Sequence, residues 1–199
     1  TPISNVLFPM LSRLQSNFDR LKQTFLTVSK LTGIVAIGLL TPIALLSEDI
    51  VQVLFGPQWA SSAVFLMFLT LCQGLAWTVS LNGLAYRAIG RPDAEFKVMS
   101  ISMAVRIFFY TVSISFGVGA LMASRLASVT LGAANHIWAA GRMLNTGYSY
   151  YFSNTWRAYL AAACAALAYV ALFDPMLDSL PAAVRLIAGG GAVVSVFLV

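Results

Sequence analysis

What most limits the fold of this chain is a series of six long stretches free of charged side chains. They are Leu31 to Ser47, Ala60 to Tyr86, Ile107 to Ser124, Leu126 to Gly141, Ala158 to Phe173 and Leu186 to Val199. A helix crosses the roughly 30 Å hydrocarbon core of a bilayer with about 20 mostly apolar residues, about 17 at the lower end. Most of the six reach that length once flanking residues are added. Only 10% of the 199 residues are charged, against about 25% in soluble proteins, and the mean hydropathy is +0.84. Backbone groups in lipid must bond within their own segment or within a closed barrel. These runs lack the two-residue alternation of a barrel strand, so helices follow. The expected fold class is all-α: a polytopic membrane helix bundle. Its spans fall near 31–50, 60–86, 99–117, 119–141, 157–173 and 183–199, and residues 1–12 form the end of a preceding helix. Thr1 is not a methionine, no signal peptide follows it, and the chain stops within "AVVSVFLV". The expectation is a fragment of a longer polytopic protein, cut at both ends.

Charge orders the connections. A net charge of +5 is compatible with nucleic-acid binding, but the cations stand at the ends of spans rather than in one stripe, so no nucleic-acid partner is expected. Cytoplasmic loops collect Lys and Arg. The first connection carries Arg13, Arg20, Lys22 and Lys30, and "YRAIGRPDAEFK" carries Arg87, Arg91 and Lys97. "GRMLNTGYSYYFSNTWR" carries Arg142 and Arg157. These three are assigned to the inside. "SEDIVQVLFGPQWASS" holds Glu48 and Asp49 without a base, "FGVGA" is a tight break, and "FDPMLDSLP" is acidic. They alternate with the basic ones and are assigned to the outside. Tyr148, Tyr150, Tyr151 and Trp156 mark one membrane interface and Trp59 another. Between Phe18 and Lys30, apolar residues at helical spacing alternate with charges. That pattern fits a helix lying along the surface or the end of one that continues into the next span.

Within the spans, polar residues are few and ordered. Arg106 lies nine residues beyond Lys97, about 13 Å along a helix, near mid-span. Insertion scales charge an intramembrane Arg about 2.5 to 3.5 kcal/mol, so such residues usually face a bundle interior or a wet cavity. Ser102, Arg106, Tyr110 and Ser113 share one helical face. The next helix offers Arg125, Ser128, Gly132 and His136, with Asn135 beside the last. Arg106 and Arg125 are the expected cavity cations, with His136, Ser102, Tyr110 and Asn135 as further substrate-binding candidates. A guanidinium stays charged and matches phosphate oxygens through its planar fork. Snorkelling to an interface or pairing with a carboxylate elsewhere are the alternatives for both arginines.

Signs of catalysis are lacking. The carboxylates at 48–49, 93–95 and 174–178 have no His or Cys partners that would make a metal or nucleophile site. "AGGGA" at 188–192 lacks the Lys and Ser or Thr of a phosphate loop and reads as small-residue helix packing. Cys72 and Cys164 read as small buried thiols. Pro42 should kink its helix unless neighbours absorb it. No enzyme activity, metal or cofactor is expected.

Three stretches carry a resemblance. "LFPMLSRLQ" at 7–15, "VLFGPQWASSA" at 53–63 and "AIGRPDAEFK" at 88–97 resemble, in order and spacing, the polysaccharide-transport family of oligosaccharide flippases. That family lies within the multidrug, oligosaccharidyl-lipid and polysaccharide exporter superfamily. The resemblance implies two pseudo-symmetric helical lobes around a central cavity, of which this chain would be most of the C-terminal one. It also implies a multi-pass protein of the bacterial inner membrane that moves an undecaprenyl-pyrophosphate-linked oligosaccharide outward by alternating access, for exopolysaccharide, capsule or O-antigen (lipopolysaccharide) assembly. The implied partners are that lipid-linked oligosaccharide, membrane lipids and the polysaccharide polymerase or export machinery. The competing functions are a drug or metabolite exporter of the same superfamily, which calls for cavity carboxylates, and a membrane glycosyltransferase or polymerase, which calls for a large acidic catalytic loop.

Overall fold

The computed structural model describes the backbone of residues 2–145, 148–177 and 180–198, and the side chains of 7–145, 156–173, 175–177 and 180–197. The described residues are helical with short breaks: α1 Pro2–Arg13, α2 Phe18–Leu45, α3 Ser47–Phe55, α4 Ala63–Trp77, α5 Asn82–Ala88, α6 Pro92–Ser113, α7 Val118–Leu144, α8 Tyr148–Ala168, α9 Asp174–Leu177 and α10 Ala182–Leu198. Four segments are long and apolar enough to cross a membrane: Phe18–Leu45, Pro57–Ala88, Pro92–Phe116 and Trp156–Phe173. Helix α7 has the length, at 27 residues, but Arg125, Asn135 and His136 lower its apolarity. Ala182–Phe197 is apolar but shorter.

Local chemistry explains the breaks. Asn17 accepts the amide of Arg20 on its side-chain oxygen at 3.1 Å, satisfying a free donor of the first turn of α2. From there α2 runs unbroken from Phe18 to Leu45, through Pro42, so the segment 18–30 is the beginning of a continuing helix. In "AIGRPDAEFK" the chain stops one helix and starts another within three residues. Gly90 takes φ +75°, a left-handed conformation that only glycine adopts without a Cβ penalty. The amide of Arg91 then bonds back to the Tyr86 carbonyl at 2.8 Å, and Pro92 begins α6, where its missing N–H is not needed. "LFGPQW" repeats the device: Gly56 at φ 90° is followed by Pro57, which opens the 3-10 turn Pro57–Ser62. The run at 60–86 is therefore one apolar stretch but three helical pieces, the 3-10 turn, α4 and α5.

The chain divides into two compact units. The first comprises Thr1–Gly33 and Leu75–Asn154. Its main core joins Leu7 and Leu11 of α1, Leu21 and Phe25 of α2, Leu84 and Ala88 of α5, and Leu144 of α7. A second cluster packs Tyr86 and Val98 on Ala139 and Ala140. The three basic connections meet in this unit. Lys22 donates to the Asn145 carbonyl at 2.9 Å, Gln15 donates to the Ala88 carbonyl, and the Arg87 guanidinium lies 5.8 Å from the Phe8 ring centroid.

The second unit comprises Ile34–Gly74 and Thr155–Val199. Its core is Leu46, Ala165, Tyr169 and Val193. A Cβ on Gly189 would lie 2.9 Å from both Leu46 and Tyr169, so Gly189 of the "AGGGA" stretch is a close-packed point of α10. Asp49 of α3 forms an ion pair with Arg185 of α10 at 2.6 Å, with side chains 8% and 22% exposed. That ion pair ties the acidic connection after α2 to the start of α10. Cys72 is buried, as its apolar surroundings suggest, but Cys164 is exposed: it stands on a face of α8 that this unit leaves uncovered. Trp59 and Trp156 are exposed, whereas the side chains of Tyr148, Tyr150, Tyr151, Asp174 and Asp178 lie outside the described residues.

Candidate functional site

The candidate site belongs to the α6–α7 hairpin of the first unit. A 3-10 turn, Ile114–Phe116, and Gly117 reverse the chain, and the two helices then run antiparallel, joined by small and polar residues. Ser124 donates to the Phe109 carbonyl at 3.2 Å. Asn135 donates to the Val98 carbonyl at 3.0 Å and to Ser102 Oγ at 3.1 Å. Between them, a Cβ on Gly132 would meet Ser102 Oγ at 3.8 Å. In hydrocarbon, polar cross-links and small residues of this kind hold helices together when apolar contact alone gives no preference.

One face of α6 is left open by this packing. Ser102, Arg106 and Tyr110 follow at four-residue spacing and line a groove of about 630 Å³ together with Met99, Met103 and His136 of α7. Arg106 is exposed within it and, among the described residues, has no carboxylate in ion-pair range. Ser113 leaves the stripe: it is buried and donates to the Tyr110 carbonyl at 3.2 Å. Asn135 does not line this groove and instead fixes the two helices to each other.

His136 is held through its backbone. Its carbonyl accepts from Asn82 Nδ2 and from the Tyr86 hydroxyl, each at 3.1 Å, and both donors are fully buried. Its Nδ1 is buried with no hydrogen-bond partner among the described residues. Arg125 lies on the same side of α7, eleven residues earlier, about 16 Å along the axis, outside the walls of this groove. It is half-buried. The structure thus groups Arg106, Ser102, Tyr110 and His136 along one groove and places Arg125 apart from them.

Two features were not evident from spacing. Glu95 stands at one end of the groove, paired with Arg87 at 3.0 Å, in a gap that exists because residue 83 is glycine: a Cβ there would lie 2.6 Å from Glu95 Oε1. The supporting role of Asn82 and Tyr86 was also hidden, although a lone Asn inside an apolar run is a signal that could have flagged it. Among the described residues, no group of three or more His, Cys, Asp or Glu could hold a metal ion.

With that geometry in place, the comparisons add a partial match. Residues 1–64 match a family model described as polysaccharide biosynthesis protein. The stretches "LFPMLSRLQ" and "VLFGPQWASSA" fall inside the matched residues, and "AIGRPDAEFK" lies beyond them. No curated protein and no solved structure matches the chain.

Proposed function

We propose, from the match of residues 1–64 to polysaccharide biosynthesis proteins, that this chain is part of a flippase for a lipid-linked oligosaccharide, working by alternating access in a bacterial inner membrane. The observation that carries the reading is the open polar face of α6, where Arg106, Ser102 and Tyr110 line a groove on an otherwise apolar helix. An ionised pyrophosphate in bare hydrocarbon faces a desolvation penalty on the order of tens of kcal/mol. A fixed guanidinium offsets part of it with charge-assisted hydrogen bonds. The hydroxyls of Ser102 and Tyr110 supply neutral partners on the same face, and the lipid tail stays in the bilayer beyond the open side. Arg125, three turns from His136, serves as a second cation along the path. The product is the polysaccharide assembly machinery's substrate.

An exporter of cationic cargo would need a free carboxylate, and Glu95 at the groove's end is already neutralised by Arg87. The test is transport by the full-length protein in vesicles loaded with lipid-linked oligosaccharide. Arg106→Ala should lower the rate at least tenfold at unchanged protein abundance, and Arg106→Lys should retain part of it. Equal rates for wild type and Arg106→Ala would remove the basis for this reading.

A further inference from the structure

The opposite face of α6 forms a second groove, of about 500 Å³, with α7. Its walls carry Arg91 just before α6, Asp93 and Lys97 from the first turns of α6, and Asn135, Trp138 and Arg142 from the last turns of α7. At 100° per residue, Lys97 and Ile101 point away from the face that holds Arg106 and Tyr110, so the two grooves are separate. Three cations share this space with one carboxylate among the described residues. Asp93 pairs with Arg91 at 3.3 Å, and Lys97 and Arg142 are exposed with no ion-pair partner among the described residues.

The remaining wall is apolar. Val98 and Ile101 continue the groove along α6 inward from Lys97, and Ile101 is 53% exposed. Trp138 is 47% exposed, with the Arg142 guanidinium 4.6 Å from its ring centroid. That cation–π contact holds the charge at the lip of the groove, over a residue type that favours the headgroup level. A ligand complementary to this site has an anionic phosphate at one end and hydrocarbon at the other.

We propose that this groove binds the phosphodiester headgroup of an anionic membrane phospholipid, gripped by Lys97 and Arg142 with its acyl chain along Ile101. Basic pockets between membrane helices on the side rich in Lys and Arg recognise such headgroups by the same charge complementarity. The site is independent of the transport reading, because it shares no wall residue with the Arg106 groove.

The experiment is native mass spectrometry of the full-length protein in detergent, titrated with phosphatidylglycerol or with phosphatidylcholine. Phosphatidylglycerol should be retained in preference. The double substitution Lys97→Gln with Arg142→Gln should cut its retention at least fivefold and leave phosphatidylcholine unchanged, while Lys97→Arg with Arg142→Lys keeps it. Asp93→Asn, which removes the groove's carboxylate, should raise retention about twofold or more. Equal retention of the two lipids, or of phosphatidylglycerol by wild type and the glutamine variant, overturns the proposal. If the glutamine variant does not fold, Asp93→Asn decides, and no gain overturns it. Millimolar inorganic phosphate should leave the lipid in place; displacement would mean a site for free phosphate and would overturn the lipid assignment.

Discussion

Asp49 and Arg185 show how much one pair can matter in a chain with few charges. Each is mostly withdrawn from water, and the two charges lie 2.6 Å apart. Removing one partner from a buried pair typically costs about 3 to 5 kcal/mol because the other charge is stranded, whereas replacing both by apolar residues is often near neutral. Arg185 keeps some exposure, so the lower end of that range applies. Asp49→Leu alone should lower the thermal midpoint of the purified protein clearly, and Asp49→Leu with Arg185→Met should recover most of the loss. A double-mutant cycle with no coupling would show that the pair is incidental. Gly90 makes the complementary point about backbone. Nothing lies within 4 Å of a Cβ built there, so its requirement comes from φ +75° alone.

At the scale of the element, α10 tests whether small residues are there for packing. A Cβ on Gly189 would press on Leu46 and Tyr169 at 2.9 Å, while one on Gly191 meets nothing within 4 Å. Overpacking a tight contact costs about 1 to 3 kcal/mol. Gly189→Ala should therefore destabilise the protein by about that amount. Gly191→Ala should be neutral or slightly stabilising through helix propensity. Equal effects in detergent melts would mean that the α10 contact with Leu46 and Tyr169 is loose. The α6–α7 hairpin uses the other device, with Ser124, Gly132 and Asn135 joining the two helices. Phe108 and Phe116 of that hairpin are more than half exposed, as expected for a surface that meets lipid or another helix.

For the whole molecule, the charge alternation makes a prediction about sides. In a variant with Cys72 and Cys164 replaced by Ala, a cysteine at Gln58 should react with a membrane-impermeant maleimide in intact cells. One at Lys22 or Arg142 should react only after permeabilisation. Reversed labelling would invert the topology, and labelling of both sets from outside would break the alternation. The structure adds a physical reason to expect the three basic connections to behave alike: Lys22, Asn145, Gln15 and Ala88 are joined by hydrogen bonds within one unit. What the sequence determined by itself was whatever depends on neighbours along the chain. Uncharged runs specify helices, and four-residue spacing specifies that Ser102, Arg106 and Tyr110 share a face. Tertiary structure alone decided what crosses between segments: that His136 joins that face while Arg125 does not, that Ser113 turns inward, that Glu95 is claimed by Arg87, and that Asp49 finds Arg185. Those outcomes depend on which side of one helix meets another and at what level along its axis, and no spacing within a single helix encodes its partner's rotation or height.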